Sequence, residues 1–276
     1  MPLPTTPPLP PTPRPGRRSS ARERLGFRDG DKGAHSSRTM MLVELTHALA
    51  ATPEAGTREE FRRHIVAENL LGKRTEINRI RADAYLHQLF GLDPSLPVYR
   101  LLRRFWEADA DGRPLLAMLC ACARDPLLRA AGTGVLAVPI GEQVDPARVV
   151  AALSTVSPRF TAKTLASMSR NVGSSFTQSG HLRGKLRKVR VRARATPTTA
   201  AFAAALGWME GARGQFLLAS RWANLLDVNA AEMLDLLLAA ARSGWIDVRS
   251  AAGVVEVRMD RLLTPAEMEW CNAQQD

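Results

Sequence analysis

The stretch HLRGKLRKVRVRAR, His181 to Arg194, carries seven cations: Arg183, Lys185, Arg187, Lys188, Arg190, Arg192 and Arg194. It carries no acid. From Lys188 onward basic and apolar residues alternate, and a period of two is the signature of a strand. The pattern predicts one face of Val189, Val191 and Ala193 on a core. The other face, Lys188, Arg190, Arg192 and Arg194, is then open to solvent. Like charges two residues apart on a strand repel, so folding alone gives little reason to place four there. A solvated basic edge strand that blocks edge-to-edge pairing is the plainer account. The surrounding charge favours a phosphate-contacting surface instead.

That surrounding charge is uneven. Between Asp145 and Glu210 there is no acid, while Arg148, Arg159, Lys163, Arg170 and the seven cations above make eleven basic residues. The rest of the chain holds 38 − 11 = 27 basic and 27 acidic residues, so this interval accounts for the whole net charge of +11. A localised basic segment is the footprint of a polyanion partner, with double-stranded DNA first. Anionic lipid is the rival, but the stretch lacks the aromatic and leucine-rich opposite face of an interfacial helix. No run approaches the roughly 18 apolar residues of a membrane span. The longest, Ala200 to Met209, is ten.

Working outward, residues 161–180, TAKTLASMSRNVGSSFTQSG, read as a helix with Leu165, Met168, Val172 and Phe176 on one face. Thr161, Lys163, Thr164, Arg170 and Ser174 then line the exposed side, where hydroxyls and cations suit phosphate. Before it, Asp145 and Pro146 open a helix over residues 145–156. Helix, helix, turn and basic strand is the order of a winged helix-turn-helix, predicted over 145–200. A second unit, 201–276, repeats it: a helix over 214–227, a helix capped by Asn229, then a hairpin in WIDVRSAAGVVEVRM, residues 245–259. Its wing is charge-balanced by Asp247, Arg249, Glu256 and Arg258, which points to a structural or protein-binding role. A short helix follows Thr264-Pro265.

Residues 38–144 read as an N-terminal helical domain. Thr57 and Glu60 form a capping box before Phe61 and Ile65. Thr75 caps a helix to Phe90, with Ile77, Ile80, Ala84, Leu86 and Leu89 expected inward. Lys73, Arg74, Arg79 and Arg81 cluster there and are read as a solvated helix face in preference to a second DNA-facing patch. Residues 131–145, rich in Gly and broken by Pro139, read as a linker or crossing segment. Residues 1–37 form a low-complexity tail expected to be disordered, with Met40 or Met41 as a clean start of the folded part. The fold class is therefore mainly α: a helical bundle with two winged helix-turn-helix-like units and small β-hairpin wings.

No catalytic constellation, metal-ligand spacing or phosphate-binding loop is present, so neither an enzyme nor a cofactor is expected. Cys120 and Cys122 form a lone C-x-C best read as two buried helix residues, and three cysteines without framework spacing suit a reduced, cytoplasmic setting.

The segment EFRRHIVAENLLGKRTEINRIRADAYLHQLFGL, residues 60–92, followed by TAKTLASMSRNVGSSFTQSGHLRG before the basic strand, resembles the BrxA family of bacteriophage-exclusion (BREX) defence systems. The resemblance covers roughly residues 38–263. It implies a small helical protein with winged-helix units, a non-enzymatic DNA-binding component working beside other defence-system proteins. It supplies no catalytic residues. The expected function is thus a DNA-binding component of an anti-phage system. The alternatives are a winged-helix transcriptional regulator and a structural adaptor whose basic strand docks an acidic partner.

Overall fold

The structure, a computed structural model, describes residues 20–156, 158–251 and 253–272. It is mainly helical with two small antiparallel hairpins, as expected. Its spine is a pair of helices that are apolar all round, α6 (Arg113–Arg124) and α10 (Pro197–Met209). Every residue of α6 from Leu115 to Arg124 is buried, Cys120 and Cys122 included. A helix with no polar face must lie inside. The ten-residue apolar run from Ala200 lies inside α10 and is buried for the same reason, except for the half-buried Trp208. Among the described residues no helix is long and apolar enough to cross a membrane.

Around this spine lie α2 (Leu42–Ala51), α3 (Arg58–Arg62), α4 (Glu76–Phe90) and α5 (Pro97–Ala108). The capping box of Thr57 and Glu60 starts α3, and α3 runs on as a π-helical turn, Arg63–Ala67. Phe61 and Ile65 are buried as predicted. In α4 the inward face differs from the expected one. Ile77 is 53% exposed and Ala84 is exposed, while Ala82, Asp83, Leu86, Leu89 and Phe90 are buried. The rotation is set by a polar residue. Arg58 holds both Asp83 carboxylate oxygens, at 2.7 and 2.5 Å, which makes a buried acid tolerable and turns its face inward.

The expected disordered tail is corrected over residues 20–37; residues 1–19 lie outside the described ones. Ser20 and Glu23 form a capping box on α1 (Ala21–Leu25), and Leu25 and Phe27 are buried. The Arg28 amide donates to the Ala123 carbonyl at 3.1 Å. His35 is sealed in the core, its Nδ1 2.9 Å from Asp125 and its Nε2 2.8 Å from Ser175. Composition hides this because the partners stand 90 and 140 residues away.

The first winged unit begins upstream of residue 145. Residues 126–136 are α7 (Pro126–Leu136), whose N-terminus is capped by Asp125. Gly134, read as part of a linker, lies within α7 and lets α8 (Pro146–Val156) approach: a Cβ there would stand 2.8 Å from the Arg148 carbonyl oxygen. Residues 141–144 then run along β2 (Val189–Arg190), with Gly141 N to Arg190 O at 2.8 Å, Arg190 N to Glu142 O at 2.8 Å and Val144 N to Lys188 O at 2.9 Å. On its other side β2 pairs antiparallel with β1 (Leu182–Arg183), Leu182 opposite Arg190. The order is helix, edge segment, helix, long helix α9 (Ala162–Gln178), β1, β2, with β2 in the middle. The basic strand is therefore central and not an edge.

The second unit follows the same order through α10, α11 (Arg221–Asn224), α12 (Ala230–Arg242), β3 (Asp247–Ala251) and β4 (Val254–Arg258). The helix expected over 214–227 is broken: a 3-10 turn, Gly214–Leu217, precedes Ser220, which caps α11. In the wing, Asp247 faces Arg258 and Arg249 faces Glu256, the charge balance the sequence predicts. The closing helix α13 (Pro265–Asn272) packs on α1.

Candidate nucleic-acid interface

α9 carries the helical half of the site. The Thr161 hydroxyl caps it, accepting from the Thr164 amide at 3.2 Å, and the Thr164 hydroxyl lies 3.0 Å from that of Thr161. Thr164 therefore completes the cap and is half-buried; Thr161 is exposed. Leu165, Met168, Val172 and Phe176 are buried as predicted. Lys163, Ser167, Arg170 and Ser174 recur at spacings of four and three, so they share one stripe. Lys163 and Arg170 are exposed, and neither makes an ion pair with a described residue. Ser174 is half-buried and lines a groove of about 470 Å³ between α8, α9 and the hairpin tip, with Arg170, Lys185 and Leu186.

The hairpin tip is the second half. Gly184 sits at φ 109°, and any Cβ there would overlap the Arg187 carbonyl, so only glycine closes this turn. Arg183, Lys185 and Arg187 project from it, exposed and without an ion-pair partner among the described residues. Leu186 between them is 100% exposed.

Lys188, half-buried, is engaged within the chain. Its Nζ donates to the Thr177 hydroxyl at 2.9 Å and to the Gly184 carbonyl at 3.4 Å, and its stem crosses α9 at Gly173. Burial holds its pKa below the usual lysine value. It braces the wing on α9.

The outward placement of Arg190 is corrected. Arg190 is 1% exposed, with its guanidinium on the carbonyls of His181 (3.1 Å) and Val191 (2.6 Å) and on the Asp227 carboxylate. A buried arginine cannot reach a phosphate. It points inward because the turn between α11 and α12, which carries Asp227, covers that face of β2. Arg192 and Arg194 remain exposed, but Arg192 pairs with Glu232 and donates to the Asp227 carbonyl at 3.0 Å, and Arg194 pairs with Asp111 at 3.1 Å. The acid-free interval thus meets its acids from elsewhere in the chain.

The same junction buries His181. Its Nε2–H donates to the Leu225 carbonyl at 2.8 Å, and its Nδ1 lies 2.7 Å from the Ser179 hydroxyl. Burial outweighs the pull of Asp227 and pushes its pKa down to about 4, so it is neutral at pH 7.

One constellation imitates a hydrolase. Asp125, His35 and Ser175 are hydrogen-bonded in that order. All three are fully buried, and the Ser175 hydroxyl also accepts from the Met40 amide at 2.8 Å and donates to the Asn171 carbonyl at 3.0 Å. No substrate can reach that oxygen. Burial raises the Asp125 pKa, but His35 and the amides of Leu128 and His35 outweigh it and hold the carboxyl below its ordinary range. The trio ties the N-terminal segment to α7 and α9. Sequence reading missed it, and missed Asp227 and Glu232, because each acts only through residues distant in the chain.

Five exposed cations without an ion-pair partner among the described residues, Lys163, Arg170, Arg183, Lys185 and Arg187, therefore lie on one helix and the wing braced to it. Comparison with protein-family models and with curated proteins finds no match to this chain.

Proposed function

We propose that the chain is a non-enzymatic double-stranded-DNA-binding component, with α9 laid in or beside the major groove and the first wing on the flanking backbone. One observation carries this reading. Among the described residues, the cations of the basic stretch that are exposed and without an ion-pair partner are those of the wing tip, and Lys185 of that tip lines one groove with Arg170 and Ser174 of α9. A stripe of Lys163, Ser167, Arg170 and Ser174 suits phosphate and sugar contacts, and it lacks the ordered Asn and Gln set that reads bases, so binding is sequence-tolerant. The likeness of residues 60–92 and 161–184 to the BrxA family supports a cytoplasmic setting among other proteins of a BREX-type anti-phage system.

The adaptor alternative loses its main residues, because Arg190 and Arg192 are engaged by Asp227 and Glu232 of the same chain. The second unit presents Asp235 on α12 and a neutral wing, which favours a supporting role.

The test is a salt series of duplex-DNA retention. The five contacts of α9 and the wing contribute about −4.5 to the log–log slope. Replacing Arg183, Lys185 and Arg187 together by Ala makes it shallower by about 2.7. A flat salt dependence of the wild type overturns the reading.

A further inference from the structure

α9 has two flanks, and the wing occupies only one. On the other, Asn171 joins residues of the N-terminal helical domain around a pocket of about 540 Å³ whose walls include Arg38, Lys73, Arg74 and Asn78. Local structure puts them there. Gly72, at φ 59°, turns the chain so that Lys73 and Arg74 directly precede Thr75, the cap of α4. Arg38 follows the 3-10 turn Ala34–Ser36 and lies over the Tyr85 ring, 5.3 Å from its centroid. Asn171 is held by its amide, which donates to the His35 carbonyl at 3.1 Å.

The charge is one-sided. The pocket wall contains three cations and a single acid, Glu44, which is engaged by Lys73 at 3.1 Å. Arg38 and Arg74 are exposed and have no acidic partner among the described residues. Arg79, from the same sequence cluster, turns away and donates to the Val66 carbonyl at 2.9 Å. The cluster read as a solvated helix face is thus divided, and Arg38, far from it in sequence, joins the part that faces α9.

We propose that this pocket holds a phosphodiester group of the duplex that α9 contacts, on the flank of α9 opposite the wing. The proposal rests on the DNA reading above and extends the contact into the N-terminal domain. Two guanidinium groups with amide and hydroxyl groups beside them form a recurrent phosphate-binding set. The pocket is open and its arginines are exposed. A free anion gains little at such a site, whereas a polyanion gains counterion release with every phosphate neutralised.

The experiment compares full-chain wild type, Arg38→Ala/Arg74→Ala, the Arg183→Ala/Lys185→Ala/Arg187→Ala variant and all five changes together, by fluorescence anisotropy on one duplex across salt. The double variant is expected to make the slope shallower by about 1.8, additively with the wing variant. Arg38→Lys/Arg74→Lys is expected to restore most of it, since charge sets the slope. An unchanged slope in the double variant, with the wing variant still effective, overturns the pocket and leaves the DNA reading standing. A loss that lysine does not restore overturns it too, by showing a structural role. So does calorimetry in which the double change abolishes binding of inorganic phosphate but leaves the slope unaltered, which marks a small-anion site. A wild type without salt-dependent binding overturns both proposals.

Discussion

Arg190, in the central strand of the first winged unit, is bound by Asp227 from the helix-helix turn of the second. Asp227 takes the guanidinium on one carboxylate oxygen and the Ala193 amide on the other, at 3.2 Å, while its own carbonyl accepts from Arg192. It holds a left-handed backbone, φ 58°, to do so. One acid thus locks two units whose sequences look independent.

Breaking that lock has a large cost. Asp227→Ala leaves Arg190 buried and uncompensated, and a loss of about 3–5 kcal/mol in urea unfolding is expected. Asp227→Asn tolerates the same backbone conformation and isolates the charge. It should still lose more than about 1 kcal/mol. A loss within a few tenths for both variants would show the pair to be dispensable.

Stability should fall as the solution is acidified from pH 6.5 towards 4. His181 is neutral in the fold, with a pKa of about 4 against an ordinary 6.5, so the unfolded chain binds the extra proton in that window. The contribution is present above pH 6.5, amounts to about 3 kcal/mol and is lost by about pH 4. His181→Gln should flatten the profile. Below pH 4 the lowered carboxyls of Asp125 and Asp109 act with the same sign, each losing its stabilising contribution on protonation.

Lys188 is a positioning residue. Lys188→Met keeps the stem over Gly173 and removes the bonds to Thr177 and Gly184. DNA affinity should drop about fivefold to tenfold, near 1 kcal/mol, with the salt slope preserved. A slope shallower by about 0.9 would instead make Lys188 a phosphate contact. Gly173→Ala should weaken binding in the same way, since its Cβ would come within 3.1 Å of the Lys188 stem.

A chain begun at Met40 should not fold cooperatively. It lacks Leu25, Phe27 and His35, and Phe27 alone packs its ring 6.1 Å from that of Trp222. Phe27→Ala should cost about 3–5 kcal/mol in urea unfolding. A Met40 start with an unchanged unfolding midpoint would show residues 20–39 to be peripheral.

Much of this was legible in the residues. Capping at Thr57, Thr75 and Asn229 and the buried stripe of α9 are local, and local signals survive folding. The neutral second wing is legible because cross-strand neighbours in a tight hairpin are near in sequence. The face of Arg190 was not legible. Alternation says that Lys188, Arg190 and Arg192 share a side, but not which side is covered.

The sequence by itself determined the mainly helical class, the two winged units and the position of the excess charge, because each depends on periodicity, caps or a count. Only the tertiary structure decided which cations are free. Segment 141–144 made β2 a central strand, and Asp227, Glu232 and Asp111, all from outside the acid-free interval, closed on Arg190, Arg192 and Arg194. Charge follows composition, but its availability follows burial and pairing, and those arise from contacts between residues far apart in the chain.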